Sequence, residues 1–322
     1  MRRPNAAAAR ASRPSGERRD GRSAVSPLAL DPPAGLVERV LSELTGLPTV
    51  RAVALVGSFA RGTARPDSDV DFALFYDEAS PPGQALVRSV ALRLHDAKEG
   101  EPVVTAPYEW GPFVNGGAWL VVGGRRVDLL YRNLDQVRRV VADCRAGRIE
   151  SHFEQQPPFG YFSWTYLGDL HECRPLHDPA GTLAALRAEA ATFPPALRAA
   201  IVREFLWSAE FSLLFAQGFA EQGDVLNTSG CMSRCARALV QVLFARNEVF
   251  FTSDKTALCE MERFAARPHD FRARLEALLA ALGESRAELS RSVEGMRLLV
   301  SETVALCPEY RAKYPTILAL GR

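Results

Sequence analysis

Lysine is almost missing from this chain. Three lysines, Lys98, Lys255 and Lys313, stand against 36 arginines in 322 residues, so a lysine here is not the default surface cation. The six cysteines (Cys144, Cys173, Cys231, Cys235, Cys259 and Cys307) include no CxxC pair, which removes the usual thiolate zinc spacings. Cys231 and Cys235 are four apart, but no histidine lies near to complete a site. Buried thiols in a reducing cytoplasm are the expectation. His95, His152, His171, His177 and His269 are scattered, and none is assigned a catalytic role. Long apolar runs are lacking too. The most apolar stretch, Ala199 to Ala220, is interrupted by Glu204, Glu210 and Gln217, so no membrane span is expected. A net charge of +1 offers no field for a nucleic acid partner, and none is expected.

The charge is also unevenly placed. The first 26 residues hold seven arginines against Glu17 and Asp20, a net of +5 that leaves −4 for the remainder. Residues 1–27 contain almost no large apolar side chain and are expected to be a disordered Arg-rich tail. They lack the continuous apolar stretch of a secretory signal; a transit peptide is a second reading, and a dispensable extension the preferred one. The rest, with 47% hydrophobic residues overall, is enough for two cores.

What is present is concentrated in Val56 to Tyr76, VGSFARGTARPDSDVDFALFY. Arg51 to Gly57 reads as a short buried strand ending on glycine. Ser58 to Thr63 can then open a short helix whose free N–H groups favour an anion. Gly57 permits close approach of a phosphate, and Arg61 and Gly62 continue the turn. The Arg65-Pro66 pair breaks the chain before an acidic strand, Asp69 to Tyr76. Residues two apart on a strand share a face, so Asp69 and Asp71 offer two carboxylates to one region, as a divalent cation would require. Asp67 has the same parity but follows a proline and is read as a solvated loop residue.

Gly57-Ser58, a short helix, then Asp69-x-Asp71 resembles the signature of the nucleotidyltransferase superfamily typified by DNA polymerase β and by the kanamycin and streptomycin nucleotidyltransferases. The resemblance has motif support over residues 50–132. It implies an α/β catalytic domain with a mixed sheet, here 28–150, followed by an all-α helical bundle, here 151–322, closing the cleft. It also implies a third carboxylate on a later strand. Gly117 to Val122 and Arg125 to Tyr131 read as a hairpin around Gly123-Gly124. Within it Asp128 lies in an apolar run, where a carboxylate is costly unless paired or bound to metal. The bland alternative is a solvated edge-strand aspartate.

The implied chemistry is transfer of a nucleoside monophosphate from an NTP, with AMP from ATP the expected case. Asp69, Asp71 and Asp128 would be catalytic and would hold two Mg²⁺ ions, hard cations suited to oxygen ligands; Asp128 is the candidate base. Gly57, Ser58 and Arg61 would bind the nucleotide. In relatives a lysine often follows a short aromatic loop and meets the phosphates, which carries to Lys255. Arg234, Arg237 and Gln241 form a polar stripe at i, i+3 and i+7 that is either a solvated helix face or part of the cleft. Without a DNA-binding module, and with so large a helical half, the acceptor is expected to be a hydroxyl on a small molecule such as an aminoglycoside-like or lincosamide-like antibiotic, hence a link to antibiotic resistance. Glu109, Glu154 and Glu204 could make its pocket acidic. The alternatives are transfer to tRNA or protein, or an antitoxin-like binding module. Oligomeric state is not legible.

Overall fold

The structure is a computed structural model and describes residues 30–318; the tail expected over 1–27 lies outside them. From the N-terminal side the elements are α1 (Ala34–Thr45), β1 (Val50–Val56), α2 (Gly57–Arg61), β2 (Val70–Tyr76), α3 (Gln84–Leu94), β3 (Val103–Val104), β4 (Gly117–Val122), β5 (Arg125–Asn133) and α4 (Leu134–Arg145). Then follow β6 (Ser151–His152), β7 (Tyr161–Phe162), α5 (Thr165–Glu172), β8 (Arg174–His177), α6 (Thr182–Glu189), α7 (Pro195–Gln222), α8 (Val225–Arg246), α9 (Ala257–Met261), α10 (Phe271–Ala280), α11 (Arg286–Ala305) and α12 (Pro315–Leu318).

Six strands form one mixed sheet in the order β3-β4-β5-β2-β1-β8, with β2 and β5 parallel and the remaining pairs antiparallel. Alternation along the strands sorts the side chains between two faces. Val53, Leu55, Phe72, Leu74, Leu120, Leu129 and Tyr131 pack on one face under α1 and α3, with Val40, Leu44, Val87 and Leu94. The opposite face carries Ala52, Ala54, Val56, Ala73 and Phe75, whose core is continuous with that of the helical half. The hairpin forms as expected, with Gly123 and Gly124 at φ +60° and +75°, and the Asp96 carboxylate accepts both of their N–H groups. β8 comes from beyond residue 150 yet pairs with β1, so the sheet draws one edge from the second half of the chain.

In the helical half, α10 and α11 form an antiparallel pair. Arg274 bridges Glu302 at 2.7 Å, while the Ser292 hydroxyl donates to the Leu282 carbonyl. Ser285 and Glu288 form a capping box that starts α11, satisfying otherwise orphaned N–H groups. α7 packs between α8 and α11 and also touches α4 and α12. Trp207, Leu214 and Phe215 are exposed on its outer side, where Trp207, Phe211, Phe215 and Phe219 form an i, i+4 aromatic ladder. Among the described residues no helix is long and apolar enough to cross a membrane.

Candidate active site

Pairing register builds the site. Val56 on β1 faces Asp71 on β2, Asp71 faces Asp128 on β5, and Asp128 faces Trp119 on β4. Neighbouring strands lie about 4.8 Å apart, so one row crosses the sheet from the Gly57 turn through two carboxylates to an indole. The row occupies the face turned toward the helical half, the side shared with Ala73 and Phe75. The turn itself is tight because Gly57 sits at φ +68°, and a Cβ there would collide with Oδ2 of Asp71. Only glycine combines that backbone conformation with that closeness. α2 is a single turn whose Val56 cap supplies no side-chain acceptor, leaving its first N–H groups to another ligand.

Burial first, and then neighbouring acid charge, raises both carboxylates. Asp71 is pushed up to about 7, first by burial, then by the charges of Asp128 and Asp69, with Lys255 and Arg61 opposing. Asp128 is pushed up to about 6, again by burial first and then by Asp69, against a hydrogen bond from the Trp119 side chain and the charges of Arg126 and Lys255. Three acidic groups therefore interact in a half-buried cluster that lacks enough local cation. Asp69 precedes β2 rather than opening it, and its carboxylate accepts from Arg126 Nε at 2.5 Å. Among the described residues, as the side chains stand, no three acid, histidine or cysteine groups converge tightly enough to hold a metal ion. The donor chemistry nevertheless fits a hard divalent cation: the groups are all oxygens, two are raised first by burial and then by neighbouring acid charge, and the Arg126 partner is 65% exposed, so its bond to Asp69 is weak and replaceable.

Helical residues close over this row. Arg61 Nη1 approaches Glu172 Oε2 at 3.7 Å and donates to Thr252 Oγ1 at 3.4 Å. Burial pushes Glu172 up to about 7, with Arg61 opposing. Lys255 is exposed in the loop before α9, close enough to Asp71 and Asp128 for its charge to lower both. That loop approaches α5 closely because Gly168 has no side chain: a Cβ there would strike Thr252 Cγ2.

The polar stripe on α8 divides. Gln241 is buried and accepts from the Trp164 indole at 3.1 Å. Arg237 donates to the Phe159 carbonyl at 2.7 Å and lies over the Phe162 ring. Arg234 is exposed, and its charge is felt at Arg237 and Cys231 rather than at the aspartates. Glu204 pairs with its neighbour Arg203, Glu154 with His152, and Glu109 accepts from the Ala106 N–H, so these three are not gathered into one pocket. Sequence reasoning missed Trp119, Trp110, Glu172 and Arg126. Trp119 was legible in principle, since a hairpin about Gly123-Gly124 pairs it with Asp128; Glu172 and Thr252 meet Arg61 only through tertiary packing.

The chain thus sets carboxylates on adjacent parallel strands of a mixed sheet, beside a Gly-Ser turn and followed by a helical half. Residues 36–103 match the family model described as a nucleotidyltransferase domain, a stretch that includes Gly57, Ser58, Asp69 and Asp71 but not Asp128. The crystal structure of a nucleotidyltransferase-like protein from Exiguobacterium sibiricum is similar with a TM-score of 0.44 at 10% sequence identity, covering 86% of this chain and 77% of that one. No curated protein matches the chain.

Proposed function

We propose that the protein is a Mg²⁺-dependent nucleotidyltransferase that moves a nucleoside monophosphate, AMP from ATP, to a hydroxyl of a small molecule such as an aminoglycoside-like antibiotic. The observation that carries this reading is the cross-strand row Gly57 turn, Asp71, Asp128. It sets the glycine turn, with its uncapped N–H groups, beside two carboxylates, with Asp69 within their electrostatic reach.

Asp69, Asp71 and Asp128 would hold the metal, which when bound neutralises phosphate charge and polarises the transferred group. The chain's own groups do the rest. Backbone N–H groups of the Gly57-Ser58 turn and the Ser58 hydroxyl receive the terminal phosphates, and Arg61 and Lys255 add positive charge on the helical side. Asp128, with a pKa near 6, is mostly ionised at neutral pH and can accept the proton of the acceptor hydroxyl. The acceptor's hydroxyl oxygen, having given its proton to Asp128, bonds to the α-phosphorus as the bond to pyrophosphate breaks in line on the opposite side.

The test incubates purified protein with Mg²⁺, each radiolabelled NTP in turn, and a panel of aminoglycosides, lincosamides, tRNA and total protein. Label on an antibiotic that disappears in Asp69→Asn and Asp128→Asn is the expected result. Label confined to tRNA or protein would overturn the choice of acceptor, and no label on any acceptor would overturn the transfer itself.

A further inference from the structure

The row across the sheet does not stop at Asp128. The next residue on that face is Trp119, half-buried, and the Trp110 ring stacks on it with centroids 3.9 Å apart and planes inclined by 23°. Trp110 is 47% exposed, a large apolar plane held open to solvent one ring beyond the residue that faces Asp128. An exposed indole normally loses by staying wet, and this one is fixed in place. Gln155 Nε2 donates to the Trp110 carbonyl at 3.0 Å and to the Val114 carbonyl at 2.9 Å, while Gln155 Oε1 accepts from Phe113 N–H at 2.8 Å. Glu109 ties back to the Ala106 N–H, and the Asn133 amide donates to the Tyr108 hydroxyl. The loop between β3 and β4 is therefore a built platform.

Its position decides what it serves. In an in-line displacement the entering oxygen and the departing pyrophosphate lie on opposite sides of phosphorus. The phosphate cradle is at the β1 end of the row, so the acceptor enters from the β4 end, over Trp119 and Trp110. Resting on the proposed nucleotidyl transfer, we infer that Trp110, backed by Trp119, is the floor of the acceptor subsite and that the acceptor is a cationic amino sugar whose ring stacks on the indole while one hydroxyl faces Asp128. Indole is the best aromatic partner for an ammonium-bearing ring. Charge on the acceptor is thus met by the π face, which removes the need for a separate acidic pocket built from Glu109, Glu154 and Glu204. Trp110 is a specificity residue that touches substrate, not a group that moves a proton.

Equilibrium dialysis of the full chain with radiolabelled kanamycin, streptomycin and gentamicin tests this, with binding of a non-hydrolysable ATP analogue in Mg²⁺ measured separately and thermal midpoints confirming folding. At least one aminoglycoside should bind; Trp110→Ala should weaken it by about tenfold, the scale of a lost aromatic contact. Trp110→Phe should keep affinity within about threefold of wild type, and nucleotide affinity should not change in either variant. Aminoglycoside binding unaffected in Trp110→Ala, loss of nucleotide rather than aminoglycoside affinity, or no aminoglycoside bound by the wild type would each overturn the platform. Trp110-dependent aminoglycoside binding without any nucleotide binding would uphold the platform and sink the transferase reading, which keeps the two failures apart.

Discussion

Gly57 shows how much of the chemistry hangs on one missing carbon. Its φ of +68° is strained for any L-residue, and a Cβ would occupy the place of the Asp71 carboxylate. Gly57→Ala should therefore cost about 1–3 kcal/mol in stability and should also displace Asp71, lowering kcat by more than tenfold while the chain still folds. Urea unfolding and steady-state kinetics on the same preparation check both parts; an alanine enzyme with normal kcat would show that Asp71 does not depend on the turn. The Asp-x-Asp spacing and the glycine were readable because both are local. Asp69 behaves less simply than its parity suggested: it lies just outside β2 and is met by Arg126 from β5, a partner 57 residues away in the chain that no periodicity reveals.

At the scale of elements, the loop carrying Lys255 is positioned by α5. Gly168 lets Thr252 sit against that helix, and Thr252 in turn accepts from Arg61. Gly168→Ala should push the loop outward, raising the KM for NTP several-fold with the secondary structure unchanged by circular dichroism. An unchanged KM would detach Lys255 from nucleotide binding. The α8 stripe shows why helical spacing alone was not decisive here. Arg234, Arg237 and Gln241 do share a side, but β7 and Trp164 just after it cover part of it, so Gln241 is buried against Trp164 and Arg237 lies over Phe162, while Arg234 remains in solvent. The helix itself was legible because its apolar positions Met232, Ala236, Leu239 and Leu243 repeat at helical spacing and are all buried.

At the scale of the whole molecule, the halves are joined by a buried ion pair. Arg132 on β5, four residues past Asp128 on the same face, donates to Asp169 of α5 at 3.2 Å and lies over the Tyr166 ring. Asp169→Ala would leave a buried guanidinium without its counter-charge. Because Asp169 is 24% exposed, the loss should be about 2–4 kcal/mol, somewhat below that of a fully buried pair, and visible as a lower urea midpoint. We propose that residues 28–150 and 151–322 act as catalytic and closing units, locked by this pair and by the β8 edge strand.

Acidity provides the second whole-molecule prediction. Asp71, Asp128, Glu172 and Asp254 are raised to between about 6 and about 7, each chiefly by burial. Between the unfolded carboxylate range near 4 and those values the native state binds more protons than the unfolded one, so these groups make stability fall as pH rises from about 4 to about 7. Thermal midpoints should drop across that window in EDTA, and Mg²⁺ should reduce the drop by offsetting the charges of Asp71 and Asp128. The Asp71→Asn variant should show a shallower slope in EDTA and a smaller response to Mg²⁺. An equal response in that variant would place the cation elsewhere.

What the chain determined by itself was local: a Gly-Ser turn, an Asp-x-Asp at strand spacing, a Gly-Gly hairpin that puts Asp128 mid-strand, and amphipathic repeats that make the second half helical. These follow from backbone sterics and from periodicities of two and 3.6, which need no distant partner. Tertiary structure alone decided which strands became neighbours, and hence that Asp71, Asp128 and Trp119 stand in one row. It also decided that Arg126 meets Asp69 and that a helical loop brings Lys255 over the sheet. Strand order and side-chain pairing depend on the burial of surfaces far apart in number, and no local pattern encodes that choice.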